Sequence, residues 1–494
     1  MKHLKPNKKW LLVIIELSLV VFILIRAVLF FTAKPKITVD YVAEYNRTSM
    51  PENYKPEDNA VLYYQKSSNA FVNRPNELRI SDSIWSADLY DTDRTLLEGW
   101  ILANSKALEY FRIGANKPYW WTESSTKGNL GKIIDALFWD AKVKATKEEF
   151  KPAFEDILTY YKAGKHKCRP NLLVSEQERG LDIKQDALET AFIILDRKKA
   201  PNEDLKFLQD TLQKEIDNVP YIPSLQTEKF LIYDNLQRTL INNGRGTGRL
   251  AWSVSKNLYL YLDDLRWDKS RFDPIWDLLG RLFFCLMGPT WSDMEKEILV
   301  NNQIDKMMAK TPWQVQQEWD DYTKEIKKIW HTNTSIGMRL ICLIGRISSN
   351  DCMTFFGSWS LFHLYYETKA QTDALITVLA ILRFKNDYNR LPETLEEVVS
   401  EGYLKSLSND PFSDGPLVYK LTDNNFLLYS VGKDFIDNGG APRPGGSMAF
   451  TKGITYDIIY WPVKVLDKSQ YGEHIRQSFE AARNSGPLPI SRGE

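Results

Sequence analysis

An apolar run from Trp10 to Ala33, interrupted only by the charges of Glu16 and Arg26, restricts this chain more than any other stretch of it. It matches the roughly 20 apolar residues that carry a helix across a bilayer. A helix that is apolar all round is buried in a large core or in a membrane. Lys2, Lys5, Lys8 and Lys9 precede the run, which puts the N-terminus in the cytoplasm and the remainder across the membrane, although Lys34 and Lys36 weaken the contrast. A cleaved signal peptide is the alternative, but the run is long for one and Phe31-Thr32-Ala33 lacks a small-x-small site. The expectation is an uncleaved signal anchor over 10–33 behind a basic tail over 1–9.

Composition bounds the remainder. With 494 residues, 43% hydrophobic and 26% charged, the chain can form more than one core and is not disordered by composition. Lys+Arg and Asp+Glu balance at 64 each, so no global charge points to nucleic acid or to an acidic partner. Cys168, Cys285, Cys342 and Cys352 are too few and too widely spaced for a disulfide scaffold. Only Cys342 and Cys352 are close enough to suggest a bridge; four buried thiols is the competing reading.

Residues 34–57 read as a short stalk, and 58–352 as an α-helical ectodomain. Helical spacing is weak over Asp58–Ala70 and stronger over Leu97–Gly114, where Leu97, Ile101, Leu102, Leu108 and Phe111 recur on one face. Further helices are expected over Gly131–Ala141, Glu148–Tyr161, Lys184–Leu195, Asn202–Lys214, Leu225–Ile241, Leu258–Leu265, Pro274–Met287, Trp291–Lys310 and Trp313–Trp330. Short links between amphipathic helices favour a helical-hairpin array, solenoid-like, although no fixed period names a repeat type. Asn242-Asn243-Gly244-Arg245-Gly246-Thr247-Gly248-Arg249-Leu250 lacks the preceding strand and the Gly-Lys-Ser/Thr ending of a phosphate loop. It reads as a turn between two helices, with anion contact as the alternative.

The segment 353–465 differs in kind. Met353 to Tyr388 reads as one long helix or two joined near Thr368, ended by Asn389-Arg390-Leu391-Pro392. Thr394 can cap a short helix with Glu396 and Glu397 in its first turn. Leu417–Leu421 and Phe426–Val431 are β-rich runs around Thr422–Asn425, a hairpin pattern. Gly432–Gly440 is an acidic, Gly-rich loop, and Asp457–Tyr460 is a last strand. Residues 466–494 form a C-terminal tail.

Arg390-Leu391-Pro392 with Thr394–Glu397, then Asp410-Pro411-Phe412, Tyr429–Asp434, and Asp437 with Gly439-Gly440, resemble in order the globular domain of type II secretion system major pseudopilins. The resemblance implies an α+β domain with a small antiparallel sheet and a calcium ion in the acidic loop. By position Asp434 and Asp457 carry over, with Asp437 as third ligand; the following segment, Ala441 to Gly446, is longer and richer in Pro and Gly than the family's. Carboxylates and loop carbonyls are hard oxygen donors of the kind Ca²⁺ takes; a metal-free acidic turn is the alternative. Ile14–Val21 is similar to the start of a pilin helix, where Glu16 would pair with a neighbouring subunit's amine. The family's glycine before the cleavage point is replaced here by Leu11, which argues against processing and filament assembly. Glu16 near the inner face, neutral or paired with a partner helix, is the plainer reading. The order of stalk, Trp100–Leu108 motif, helical array and pseudopilin-like end also resembles membrane-anchored bacterial proteins; it implies architecture and no activity.

Catalytic candidates are sparse. His3, His166, His331, His363 and His474 show no metal-ligand spacing, and no Gly-x-Ser-x-Gly elbow occurs. His166-Lys167-Cys168 has the residue types of a Cys–His dyad, but sequence neighbours fit a polar loop better. Glu148-Glu149, Asp263-Asp264 and Asp320-Asp321 carry the paired acids of a glycosidase on paper, yet adjacent helical residues point apart. Tyr119-Trp120-Trp121, Trp139, Trp291 and Trp330 are candidates for a sugar platform or, more simply, for core. The expected function is a non-enzymatic scaffold or binding protein of the bacterial envelope, with the membrane and other envelope proteins as partners and a structural calcium. The alternatives are a component of a secretion or pilus-like assembly and an envelope glycan hydrolase.

Overall fold

The computed structural model describes residues 8–78, 94–122, 130–217, 221–241, 248–255, 282, 285–286, 290–331, 355–440 and 457–463. The expected helix over 258–265, most of that over 274–287, the Cys342 and Cys352 pair, Ala441–Gly446 and the tail over 466–494 lie outside them. The described chain is mainly helical with small antiparallel sheets. In order come α1 (Lys8–Thr32), α2 (Tyr41–Ser49), α3 (Val61–Ala70), α4 (Arg94–Ala103), α5 (Ser105–Ala115), α6 (Leu130–Thr146), α7 (Phe150–Lys165), α8 (Val174–Arg197) and α9 (Asn202–Asp217). They are followed by α10 (Glu228–Thr239), β1 (Leu240–Ile241), β2 (Arg249–Leu250), α11 (Trp291–Met308), α12 (Pro312–Gln317) and α13 (Trp319–His331). α14 (Phe355–Tyr388), α15 (Leu395–Ser400), β3 (Val418–Leu421), β4 (Phe426–Ser430) and β5 (Ile458–Trp461) complete the series.

The chain forms two compact units, one of residues 1–48, 225–304 and 320–358, the other of 49–224, 305–319 and 359–494. In the first, the expected turn at 242–250 joins two strands rather than two helices: Leu240 pairs with Leu250 and Ile241 with Arg249. The strands form because Leu240 and Leu250 bury side by side with Ile232, Leu236 and Cys285, a short apolar cluster that a hairpin can close. α1 is 25 residues long, and its large apolar side chains are exposed on successive positions, among them Leu17, Phe22, Leu24 and Leu29. Among the described residues no helix is long and apolar enough to cross a membrane; the side chains of α1 are described without a break only from Glu16 to Thr32.

In the second unit, α7 packs between α6 and α8 and also meets α5 and α9. Trp139, Phe111, Phe154, Leu108, Ile133 and Leu137 fill its interior. α7 and α8 cross backbone against backbone: a Cβ on Gly180 would stand 2.8 Å from the Gly164 carbonyl, and one on Gly164 would stand 2.6 Å from the Gly180 carbonyl. The expected helix over 97–114 is two. Asn104 is fully buried at the joint, donating to the Val72 and Trp100 carbonyls and accepting from the Val72 amide, so its side chain ties the backbone at Val72 to the joint. The expected helix over 313–330 likewise divides at Glu318, while α14 runs unbroken through Thr368.

β3, β4 and β5 form one antiparallel sheet in that order, with Val418 opposite Tyr429 and Tyr429 opposite Ile459. The hairpin closes where the Thr422 amide donates to the Asn425 carbonyl at 2.9 Å. Thr394 caps α15 as its residue type requires, and Arg390 locks the entry by pairing with Glu397 at 2.5 Å.

Candidate functional site

The acidic loop begins where β4 ends. Asp410, 1% exposed, accepts from the Ser430 hydroxyl at 2.8 Å and from the Phe412 and Val431 amides, each at 3.0 Å. One buried carboxylate therefore ties Asp410-Pro411-Phe412 to Ser430-Val431. Burial pushes the Asp410 carboxyl up, opposed by these bonds. Gly432 (φ 76°) then turns the chain, and Phe435 accepts a left-handed φ of 61° while its amide donates to the Gly432 carbonyl. Its ring lies between Trp313 and Phe412, contacts that offset the strain. Lys433 pairs with Glu367 of α14.

The three carboxylates singled out in the sequence all bond to this loop. Asp434 accepts from the Ile436 amide at 3.3 Å and the Asn438 side chain at 3.0 Å. Asp457 accepts from the Asn438 amide at 3.2 Å and the Gly440 amide at 2.6 Å. Asp434 and Asp457 thus reach Asn438 from two sides. Asp437 is directed elsewhere, to the Tyr429 hydroxyl at 2.7 Å and the Gly439 amide at 2.8 Å. Burial and that bond hold the Tyr429 phenol above its ordinary value; the same bond, then the Gly439 amide, holds Asp437 below the usual carboxylate range. Among the described residues no three Asp, Glu, His or Cys side chains are grouped closely enough to hold a metal ion. Asp434 and Asp457 are carboxylates, the donor type a hard cation takes, and each bonds to Asn438; Asp437 bonds to Tyr429 and Gly439 instead.

The other candidates take structural places. The His166 ring accepts from the Tyr64 hydroxyl at 2.9 Å through Nδ1 and donates to the Lys117 carbonyl at 2.7 Å through Nε2, a tautomer these partners select. Burial pushes His166 down to about 4 and the Cys168 thiol up to about 11, so neither is poised for nucleophilic chemistry. Trp121 donates to the Ser49 hydroxyl and Tyr119 to the Lys55 carbonyl, while Trp120 lies edge-on to Tyr64 with the Lys167 ammonium 4.1 Å from its ring centre. Of these rings Trp120 and Tyr64 line a cavity of about 20 Å³ with Phe111 and Ile183, room for about one water. Asp320 and Asp321 are exposed, as are Glu148 and Glu149. Asp263-Asp264, His3 and His474 lie outside the described residues.

Sequence reasoning missed a stripe on α8. Asp182, Asp186 and Glu189 recur at helical spacing, and Asp186 accepts from the Tyr160 hydroxyl at 2.8 Å. Burial raises Asp186 to about 6 and Glu189 to about 8, the latter also by the Asp186 charge and against the Lys142 cation. The spacing is legible in the sequence; that Asp186 and Glu189 are half-buried while Asp182 is exposed is not.

Comparison of the chain with known protein families, with curated proteins and with solved structures finds no match.

Proposed function

We propose that this protein is held in a membrane by α1 and acts as a non-enzymatic scaffold or binding protein of the bacterial envelope. The reading rests on one observation. From Leu19 to Ile25 every residue of α1 exposes about half or more of its apolar side chain, from 48% at Val21 to 60% at Leu24. Seven successive positions cover the whole circumference of a helix. Water would oppose such a surface at roughly 25 cal/mol for each Å², whereas a bilayer accepts it. The basic residues before the run support a cytoplasmic N-terminus, with the remaining chain outside.

The test is extraction. Membranes carrying the full chain are washed with alkaline carbonate; retention in the pellet is expected, and release into the wash would overturn the anchor. A cysteine introduced at Ser413 should react with an impermeant maleimide only from the outer side of intact cells.

Within this reading the loop at 432–440 is a docking-end element stiffened by calcium on Asp434 and Asp457. The supporting observation is their convergence on Asn438. The pairing order β3-β4-β5 and the Asp410 link between the two motifs support a likeness to pseudopilin domains.

A further inference from the structure

Arg26 is the charge in the second half of the apolar run that an anchor alone does not explain. It is exposed, and it stands one helical turn before Phe30 on the same face of α1. Over Phe30 sits a second cation. The Arg249 guanidinium lies 3.9 Å from the centre of that ring and donates to the Phe30 carbonyl at 3.1 Å. Phe31 meets Trp252 edge-on at 5.0 Å, and Gln237 grips the chain just beyond, accepting from the Thr38 and Val39 amides and donating to the Val39 carbonyl. The end of α1 is therefore fixed to the β1–β2 element, and Arg249 is held in place beside it. Among the described residues neither arginine has an ion-pair partner. Burial holds the Arg249 guanidinium below its ordinary value, with Cys285 opposing and the Arg26 charge adding to the effect.

We propose that Arg26 and Arg249 form a subsite for the phosphate of a membrane phospholipid, on the face of α1 marked by Phe30. The inference rests on the membrane-anchor reading. Two guanidiniums on one helix face repel each other, and more strongly near hydrocarbon than in water. An anion between them removes that cost, and the planar fork of each side chain matches phosphate oxygens in pairs. A lipid suits the place better than a free anion. Arg26 is exposed inside the apolar run, where an anchor helix would place it beside lipid rather than water. Phe22 and Leu29, 58% and 56% exposed, flank it and offer apolar surface for acyl chains.

The test uses the full chain, purified in a maltoside detergent and melted, with tryptophan emission as the readout. A short-chain phosphatidylglycerol is expected to raise the melting temperature by several degrees, and the matching diacylglycerol to leave it unchanged. Arg26→Gln, on an exposed position, should lose most of the rise, and Arg249→Lys, which keeps the charge without the fork, about half. An equal rise with inorganic phosphate would replace the lipid by a free anion and overturn the proposal, as would an undiminished rise in Arg26→Gln. Carbonate extraction of both variants separates the two readings. Variants that stay in the pellet but lose the lipid response support the subsite, whereas release of the unaltered chain removes the anchor itself.

Discussion

In the block of α5, α6 and α7, Asp140 and Asp156 face Arg112 and Lys144, whereas in the loop at 432–440 Asp434, Asp437 and Asp457 face mostly backbone amides. The first arrangement joins elements distant in sequence. Arg112 of α5 reaches Asp140 of α6 at 2.6 Å and Asp156 of α7 at 2.7 Å, and Lys144 of α6 closes the square at 2.9 and 2.5 Å. The second shapes a short segment, with Asp434 and Asp437 inside it and Asp457 at the edge of β5. The same side chain thus supports packing between helices in one region and local chain geometry in the other. The difference lies in the partner: a guanidinium or ammonium on a long side chain bridges two helices, whereas a backbone amide is fixed to the segment it shapes.

The sharpest way to break the comparison is Asp156→Ala. Asp156 is 2% exposed, and its removal leaves two cations facing one acid. A loss of about 3 kcal/mol is expected, read as a drop in urea midpoint with an unchanged slope. Asp410→Ala comes next. It frees two amides and a hydroxyl at the base of the loop, a loss of about 2 kcal/mol. Because Asp410 acts locally, amide exchange should rise at Phe412 and Val431 and stay low in α7. Exchange rising equally in both regions would dissolve the contrast.

A third test concerns the α8 stripe, where a carboxylate faces neither a bonded cation nor an amide. Glu189 is raised from its ordinary 4.5 to about 8 in the folded chain. Above pH 4.5 the unfolded chain releases a proton that the folded chain keeps, so this residue's contribution falls as pH rises to about 8. Asp186, raised to about 6, acts in the same direction from 3.8 upward. His166 and His363, pushed down to about 4 and about 3, act oppositely below 6.5. Between pH 6.5 and 8 Glu189 stands alone among these four. Glu189→Gln should match the unaltered chain near pH 4.5 and melt higher by a few degrees at pH 8.5. A constant difference across that range would show Glu189 to be ordinarily ionised.

Local pattern made much of the fold legible. The apolar spacing at Leu375, Val378, Leu379 and Leu382 marks α14, and Thr394 with Glu397 marks the start of α15. The Leu417–Val431 hairpin follows from its β-rich runs and polar turn. What escaped depends on contacts between distant residues. The pairing of Leu240 with Leu250 has no signature in two-residue strands, and the joint at Asn104 exists because Val72 offers its backbone there. Arg112 and Asp156 lie 44 positions apart, so no spacing rule links them. At the candidate site, residue type and order located Asp434, Asp437 and Asp457, but not that Asn438 stands between two of them or that Tyr429 draws the third away.

The smallest effect is the most informative about the loop. Thermal melts of the chain in excess EDTA and then in millimolar calcium should differ by a degree or two, since a ligand of the folded state raises its stability by mass action. Magnesium, which demands a tighter octahedral shell and keeps its waters, should leave the melt where EDTA left it. Asp434→Ala should abolish the calcium rise, while Asp437→Asn should lower the starting point through Tyr429 and Gly439 and keep the rise. That ordering follows from geometry alone, because Asp434 and Asp457 meet at Asn438 and Asp437 does not. If Asp437→Asn also abolishes the rise, the three carboxylates close on one cation when it binds. If no variant responds to calcium, the amides do in this loop what a metal would do, and the contrast with the ion-paired helical block is complete.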